Sequence, residues 1–448
     1  MLGETFDVCV VGAGPAGSIA AERLARTGAR VLLVDGQKFP RYKCCAAGVL
    51  WHDVEDFPEI KPVIENYNYK MTFHSPSLKH EFSIESGDHY LMGQTYRAVL
   101  DNHLALLAKK AGAEFRDNTR ATSIELLDDR KGVIIDLHDN TTGSDSKIQC
   151  KIVIGADGVK SIVRKEHPDF KRWKKSDLLI ASELDVPMDE DDILAIYGKE
   201  RAVHMYLYFH DMPGYAWIFT KKKSVSLGMG TMLEFNGKPY GGGILASKFK
   251  EYCAFLESEG LVRPGKVALP KTSYALIPCM SLAKATTHGR NALLVGDAAG
   301  AFVSALSGEG IYYSMLSGQY AAEAVLSALK ADDASARSLG RYPQLWKKRL
   351  ERELNYQHFA KRYMLEFKRR CEKAVRWGMH DATIRRFMSV FFTGVYTIDR
   401  PFMVKLYSHY MRLKIKDIMG RMGDREKKGD YAGDASKSPS LIPWRGFH

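Results

Sequence analysis

Short, nearly continuous apolar runs open the chain. Phe6 to Val11 is one and Arg30 to Val34 is another; runs of that length bounded by turn residues read as buried strands. Between them, Ser18 to Arg26 places Ala, Glu, Leu and Arg in helical register, so residues 6–34 predict strand, glycine turn, helix, strand. A second helix is predicted from Gln94 to Gly112, with Val99, Leu100, His103, Leu104, Leu107 and Ala108 on one face. From about Ala113 to Ile154 the period falls to two, with turn signals at Asp128-Asp129 and Thr141-Thr142-Gly143. Residues 178–275 are rich in aromatic and β-branched residues, as in Ala202-Val203-His204-Met205-Tyr206-Leu207-Tyr208, and predict an inserted antiparallel sheet. Residues 290–330 return to strand, turn and helix, and 340–422 read as helical.

These elements define an α/β chain with an insertion. A parallel domain is expected from 1–75, 94–177 and 276–335, and an antiparallel sheet domain from 76–93 and 178–275. A helical region is expected over 336–422, and Gly423 to His448 is polar and reads as a mobile tail. With 448 residues, 45% apolar and 26% charged, disorder and mini-protein scaffolds are excluded. Seven cysteines without a CxxC pair give neither a disulfide framework nor a zinc pattern, so no metal is expected, and spacing does not say whether Cys253 and Cys279 pair. No apolar stretch reaches 18 residues, and the start shows no signal-peptide pattern; the expectation is a cytoplasmic protein.

Charge is unevenly placed. The net charge is +12, yet Ala331 to His448 alone holds 26 Lys and Arg against 13 Asp and Glu, so the last quarter carries the whole excess. Arg369-Arg370, Arg385-Arg386, Lys414 and Lys416 are interspersed with Phe387, Phe391-Phe392 and Phe402, a mixture suited to an anionic membrane surface or to a solvated helical face. No nucleic-acid recognition fold accompanies the charge, so nucleic acid is not expected as a partner.

Gly12-Ala13-Gly14-Pro15-Ala16-Gly17 ends the first strand and opens the first helix. Gly12 permits a tight turn, Gly14 a close backbone approach to a pyrophosphate, and Gly17 close packing of helix on strand; phosphates then sit at the helix's positive end. Asp35, at the end of the second strand, is placed to bind a ribose hydroxyl.

Val153-Ile154-Gly155-Ala156-Asp157-Gly158-Val159-Lys160-Ser161 and Leu294-Val295-Gly296-Asp297-Ala298-Ala299-Gly300 resemble the later fingerprints of FAD-dependent hydroxylase-like flavoproteins. The resemblance implies a Rossmann-like FAD-binding domain of the aromatic-hydroxylase type. It implies a ribityl contact for Asp297, and backbone amides near Gly308-Glu309-Gly310-Ile311 against the isoalloxazine, with Gly310 and Ile311 closest. Asp157 either contacts the pyrophosphate region or shapes its turn. Arg97 matches the family arginine beside the cofactor, and Ala16 and Ala121 are carried over as cofactor neighbours.

Arg41-Tyr42-Lys43-Cys44-Cys45-Ala46-Ala47-Gly48 resembles the R-x-K-x-C-G-x-G segment of geranylgeranyl reductases, including the digeranylgeranylglycerophospholipid reductases. Pro213-Gly214-Tyr215-Ala216-Trp217-Ile218-Phe219-Thr220-Lys221 resembles their P-x-x-Y-x-W-x-F-P-K signature. Ala46 stands for a glycine, Thr220 for a proline, and the spacing after Pro213 is one residue shorter. The resemblance implies FAD-dependent reduction of carbon–carbon double bonds in geranylgeranyl groups of ether phospholipids, with chlorophyll precursors or geranylgeranyl diphosphate as the alternative. Cys45, Ala46 and Gly48 are then beside the flavin. Cys45 either supplies the proton that accompanies hydride or only packs while water supplies it; Cys44, pointing the opposite way in an extended chain, is read as structural. Tyr215, Trp217 and Phe219 share one strand face and either line a prenyl slot or fill an ordinary core.

A second strand-glycine-helix fingerprint, as a nicotinamide would need, is missing, since Gly241-Gly242-Gly243 lacks flanking strand and helix patterns. The electron donor (reduced nicotinamide, deazaflavin or ferredoxin) is therefore expected to bind transiently. The same fold also serves monooxygenases and electron-transfer flavoproteins; the aromatic strand and Cys45 favour reduction.

Overall fold

The computed structural model describes residues 4–86, 89–127, 132–280, 282–393 and 400–428. The chain divides into two compact units, Met1–Ile398 and Asp399–His448. In the second, the described residues form one helix, Arg400–Lys428. The expected boundary at 422 falls inside that helix, and residues 429–448 of the expected tail, like the turn at 128–129, lie outside the described residues.

The first unit is built on two large sheets. One has eight strands, and its parallel core runs Ala292–Leu294, Ser144–Gly155, Thr5–Val11, Val31–Val34, Glu114–Arg116. Thr119–Leu126 and Val133–Asp139 extend Ser144–Gly155 as an antiparallel meander, which is the period-two region of the sequence. The central strands are buried on both faces: Val8, Cys9, Val10 and Leu32 to Val34 have no exposed surface. Helix Pro15–Ala25 packs between the sheet and helix Ile311–Lys330. That contact is close, since a Cβ on Gly318 would lie 2.1 Å from the Ala16 carbonyl oxygen. Helix Arg97–Lys110 turns Leu100, Leu104, Ala105 and Ala108 inward, together with Arg97 and Asp101, whereas Val99 is exposed. The buried stripe is thus rotated from the expected one because it includes a buried acid and base.

The second sheet has seven strands in the order Ser273–Pro278, Leu178–Pro187, Ser224–Met232, Gly214–Thr220, Val203–Leu207, Lys70–His74, Glu81–Glu85. It is mixed rather than wholly antiparallel, because Val203–Leu207 runs parallel to Lys70–His74. Lys70–His74 therefore belongs with this sheet, not with the cofactor domain where residues up to 75 were expected. Helix Gly243–Ser258 covers the outer face through Leu245, Phe249 and Tyr252, packed on Leu184, Val186, Ile218, Leu227 and Met229. The inner face is left toward the first sheet.

Two histidines meet in this sheet. His74 Nε2 lies 2.9 Å from His204 Nδ1, and Tyr206 stacks on His74. Burial drives His74 down to about 3, helped by His204, and His204 down to about 4, helped by Lys70. In the unfolded chain both titrate near 6.5, so the native state refuses protons that the unfolded state accepts. Stability is therefore expected to be full above pH 6.5 and to fall as pH drops toward 4. Thermal melts across that window should show a smaller loss in a His204→Asn variant than in the wild type.

Candidate active site

Three of the sequence fingerprints end neighbouring parallel strands. Gly12 follows Thr5–Val11, Ala156 and Asp157 follow Ser144–Gly155, and Gly296 and Asp297 follow Ala292–Leu294. Asp35 follows Val31–Val34. The carboxyl ends of adjacent parallel strands form the crevice where open α/β sheets bind ligands, and here that crevice is part of one cavity of about 900 Å³. Gly12, Gly14, Ala16, Asp35, Arg97, Ala121, Asp297, Gly310 and Ile311 line it. Gly17 does not; it sits behind the turn, where a Cβ would come within 1.9 Å of the Gly12 carbonyl oxygen.

The residues fit a dinucleotide. Gly12 has φ +105°, and a Cβ there would lie 2.4 Å from the Ala156 carbonyl oxygen. Gly14 is open toward the cavity, with only an Arg41 Nη at 3.7 Å from its would-be Cβ. Helix Pro15–Ala25 begins there with no side-chain cap, so its first N–H groups face an anion site. Asp35 accepts from the Ala13 N–H at 2.9 Å and the Gln37 N–H at 3.0 Å, which fixes the glycine turn to the second strand. Asp157 accepts from the Ile162 N–H at 2.6 Å within its turn and also lines the cavity, while burial pushes it up to about 6.

Charged groups that the sequence did not join hold the Cys45 loop. Asp101, fully buried, receives Arg97 Nε and Nη2 at 2.8 Å each and Arg41 Nη1 at 3.0 Å; Arg41 Nε also lies 3.6 Å from Asp35. Burial works against the Arg97 charge, but Asp101 and the Cys45 sulfur more than offset this and hold its pKa above the ordinary value. Lys43 Nζ pairs with Asp297 at 3.2 Å. Cys45, Ala46 and Gly48 line the cavity, and so does Cys44. The expectation for Cys44 fails because residues 44–45 form a bend rather than an extended segment. Burial, Glu183 and Cys45 push the Cys44 thiol up to about 12. All seven cysteines are free, Cys253 and Cys279 included.

The opposite wall is the inner face of the second sheet. Tyr215, Trp217 and Phe219 line the cavity with ring centroids 5.9 and 6.3 Å apart. Their cross-strand neighbours are small: Gly230, Gly228 and Ser226, then Ala181 opposite Gly230. A Cβ at Gly228 would fall 2.0 Å from the Trp217 ring, so the indole lies flat on that glycine. The Tyr215 hydroxyl donates to the Ser307 carbonyl, tying the aromatic strand to the segment that carries Gly308 and Gly310. Lys361, Leu365 and Phe392 close the cavity from the C-terminal helices. Phe391 and Phe392 are buried, which removes them from the apolar surface expected for a membrane.

The sequence gives no role to two carboxyls in this cavity: Glu183, which no motif includes, and Glu309, whose segment is marked only for its backbone amides. Glu183 lies opposite Gly228 and is raised to about 7 by burial and Asp185. Glu309 is raised to about 8 by burial and sits with His52 and Asp53, whose ligand atoms converge within 4.8 Å. That trio could hold a metal ion, or one shared proton. No spacing rule marks either acid; only the sheet register and the fold bring them to the wall.

The FAD binding domain family matches residues 5–51 and 62–238. A digeranylgeranylglycerophospholipid reductase of Methanocaldococcus jannaschii is 30% identical over 374 residues, covering 82% of this chain and 88% of that one. A geranylgeranyl diphosphate reductase of Rhodobacter capsulatus is 31% identical over 340 residues, covering 75% and 79%. The chain belongs to the geranylgeranyl reductase family. Its cofactor is FAD. A geranylgeranyl bacteriochlorophyll reductase-like structure from Thermoplasma acidophilum shares the reductase fold, with a TM-score of 0.70 at 22% identity over 87% of this chain and 96% of that one. Among the described residues no helix is long and apolar enough to cross a membrane.

A Gly12→Ala substitution adds strain at a positive φ and a backbone clash at the dinucleotide turn. The reductase variant is expected to purify folded by circular dichroism but without yellow FAD absorbance.

Proposed function

We propose that this reductase hydrogenates carbon–carbon double bonds in geranylgeranyl chains of ether phospholipids. The observation that carries this reading is the shared cavity: the dinucleotide turn and an apolar wall of Tyr215, Trp217 and Phe219 over Gly228, Gly230 and Ala181 face the same space. Gly12, Gly14, Ala16, Asp35, Ala121, Asp297, Gly310 and Ile311 would hold FAD, and Gly17 supports the glycine turn. Bound and reduced, FAD supplies hydride. The aromatic wall excludes water and lays the prenyl chain along the trough. Cys45, held beside Arg97, delivers the proton to the second alkene carbon.

Helix Lys368–Gly378 buries Cys371, Val375 and Gly378 and leaves Arg369 exposed, with Lys368 exposed but paired to Asp211 at 2.6 Å and Arg370 half-buried over the ring of exposed Phe367. This basic and apolar face receives the anionic bilayer from which the lipid comes. Binding to phosphatidylglycerol-type vesicles is expected to fall steeply with salt, and an Arg369→Glu/Arg370→Glu variant is expected to bind them weakly even at low salt.

The test is anaerobic. The purified protein is reduced with dithionite, mixed with geranylgeranylated ether phospholipid, and followed by flavin absorbance and lipid mass. Reoxidation with gain of two hydrogens per event is expected, and Cys45→Ser is expected to slow it by about 10²-fold or more, the usual worth of a positioned acid. A flavin that stays reduced until oxygen is admitted, with a product that then gains oxygen, would point to a monooxygenase instead.

A further inference from the structure

Each reduction consumes a proton inside a cavity walled by apolar side chains, and the thiol that gives it up must be recharged. One feature of the wall has the right connections. Glu183 is 1% exposed and lines the cavity, in the cross-strand row Trp217, Gly228, Glu183, Ser273. Ser226 Oγ donates to its Oε1 at 3.0 Å, and the Tyr42 hydroxyl donates to its Oε2. Tyr42 is 54% exposed and does not line the cavity, so a single hydrogen bond links a half-exposed phenol to a buried acid on the inner wall. Cys44, Cys45 and Glu183 line the same cavity, and Cys44 feels the charges of both of the others.

We propose that Tyr42 and Glu183 form the proton inlet of the cavity, passing protons from solvent toward Cys44 and Cys45. The inference rests on the reductase reading above. Per event, the Cys45 S–H bond breaks and its proton goes to one alkene carbon while the other takes the hydride that bound, reduced FAD would supply, leaving a thiolate. The Glu183 O–H bond then breaks to restore the thiol, through Cys44 or a cavity water. The carboxylate regains a proton from the Tyr42 hydroxyl, which is reprotonated from solvent. Glu183 and Tyr42 are positioning residues in this scheme, since they act through the cysteine.

The groups facing Glu183 agree with a carboxyl that keeps its proton near neutrality. Burial and Asp185 raise it to about 7, while Tyr42, Lys221 and Ser226 pull the other way. Lys221 Nζ is engaged 3.1 Å from Asp185, which limits its help to Glu183. Burial and Glu183 hold the Tyr42 hydroxyl protonated, well above the usual phenol range. The inlet is charged with protons below pH 7 and empties above it.

The experiment uses holo-protein, dithionite in excess and a geranylgeranyl ether phospholipid, with rapid quench resolving the first reduction from later ones. In the wild type the steady rate is expected to fall about tenfold per pH unit above pH 7. In Glu183→Gln that limb should disappear, with the first reduction retained and later ones slowed about tenfold or more; Glu183→Asp should restore the limb. Infrared titration of the holo-protein without lipid should show a carboxyl band with a midpoint near 7 that is missing in Glu183→Gln. Tyr42→Phe, a change on a half-exposed ring, keeps the band but slows the later reductions, and it serves if the Glu183 variant does not fold. Wild-type rates and pH profile in both variants overturn the inlet while leaving the reductase reading intact. No lipid reduction by the wild type overturns both.

Discussion

Asp101 holds two guanidinium groups inside the protein, and the cavity depends on that pairing. Arg97 approaches it from its own helix and Arg41 from the loop before Cys45, so one buried carboxylate fixes the cysteine loop against the parallel domain. Arg41 extends the chain of charge to Asp35 and lies beside Gly14, while Arg97 reaches the Cys45 sulfur. Removing one partner from such a buried set costs about 3–5 kcal/mol, because the others are left uncompensated. Two guanidiniums meet two carboxylates, Asp101 and Asp35, so the cluster is balanced in charge, and the uncapped start of helix Pro15–Ala25 is what offers an anion its N–H groups.

The opposite wall obeys a different rule, one of volume. The inner face of the second sheet alternates large rings with residues that have almost no side chain, and Gly228 exists to admit the Trp217 indole. The outer face is packed by Leu184, Ile218, Leu227 and Met229 under a helix. One sheet thus gives the fold a dense core on one side and a trough on the other, and the Tyr215 hydroxyl fixes the trough to the loop that carries Gly308.

The glycine turn, its acid and the aromatic strand were legible before any coordinates, because each depends on local sequence: a turn needs glycine at a fixed place and a strand alternates with period two. Tyr215, Trp217 and Phe219 do share one face of Gly214–Thr220. What stayed hidden depends on contacts between distant segments. The sequence singles out neither Asp101 nor Glu183, because a polar position in a helix or strand shows no sign of burial until its partners from distant segments are in place. Cys44 was misread because an extended backbone was assumed where the chain bends. The parallel pairing of Lys70–His74 with Val203–Leu207 joins residues more than 120 apart, and no local pattern encodes it.

The central claim is that the prenyl chain lies on the inner face of the second sheet, in the space shared with FAD. The most direct measurement is photo-crosslinking of the holo-protein with a geranylgeranyl ether phospholipid bearing a diazirine on its chain, with the labelled peptides mapped by mass spectrometry. The account predicts adducts on Gly214–Thr220, Ser224–Met232 and Leu178–Pro187 that free geranylgeranyl lipid competes away. Adducts confined to residues 336–428, with those three strands unlabelled, would contradict it.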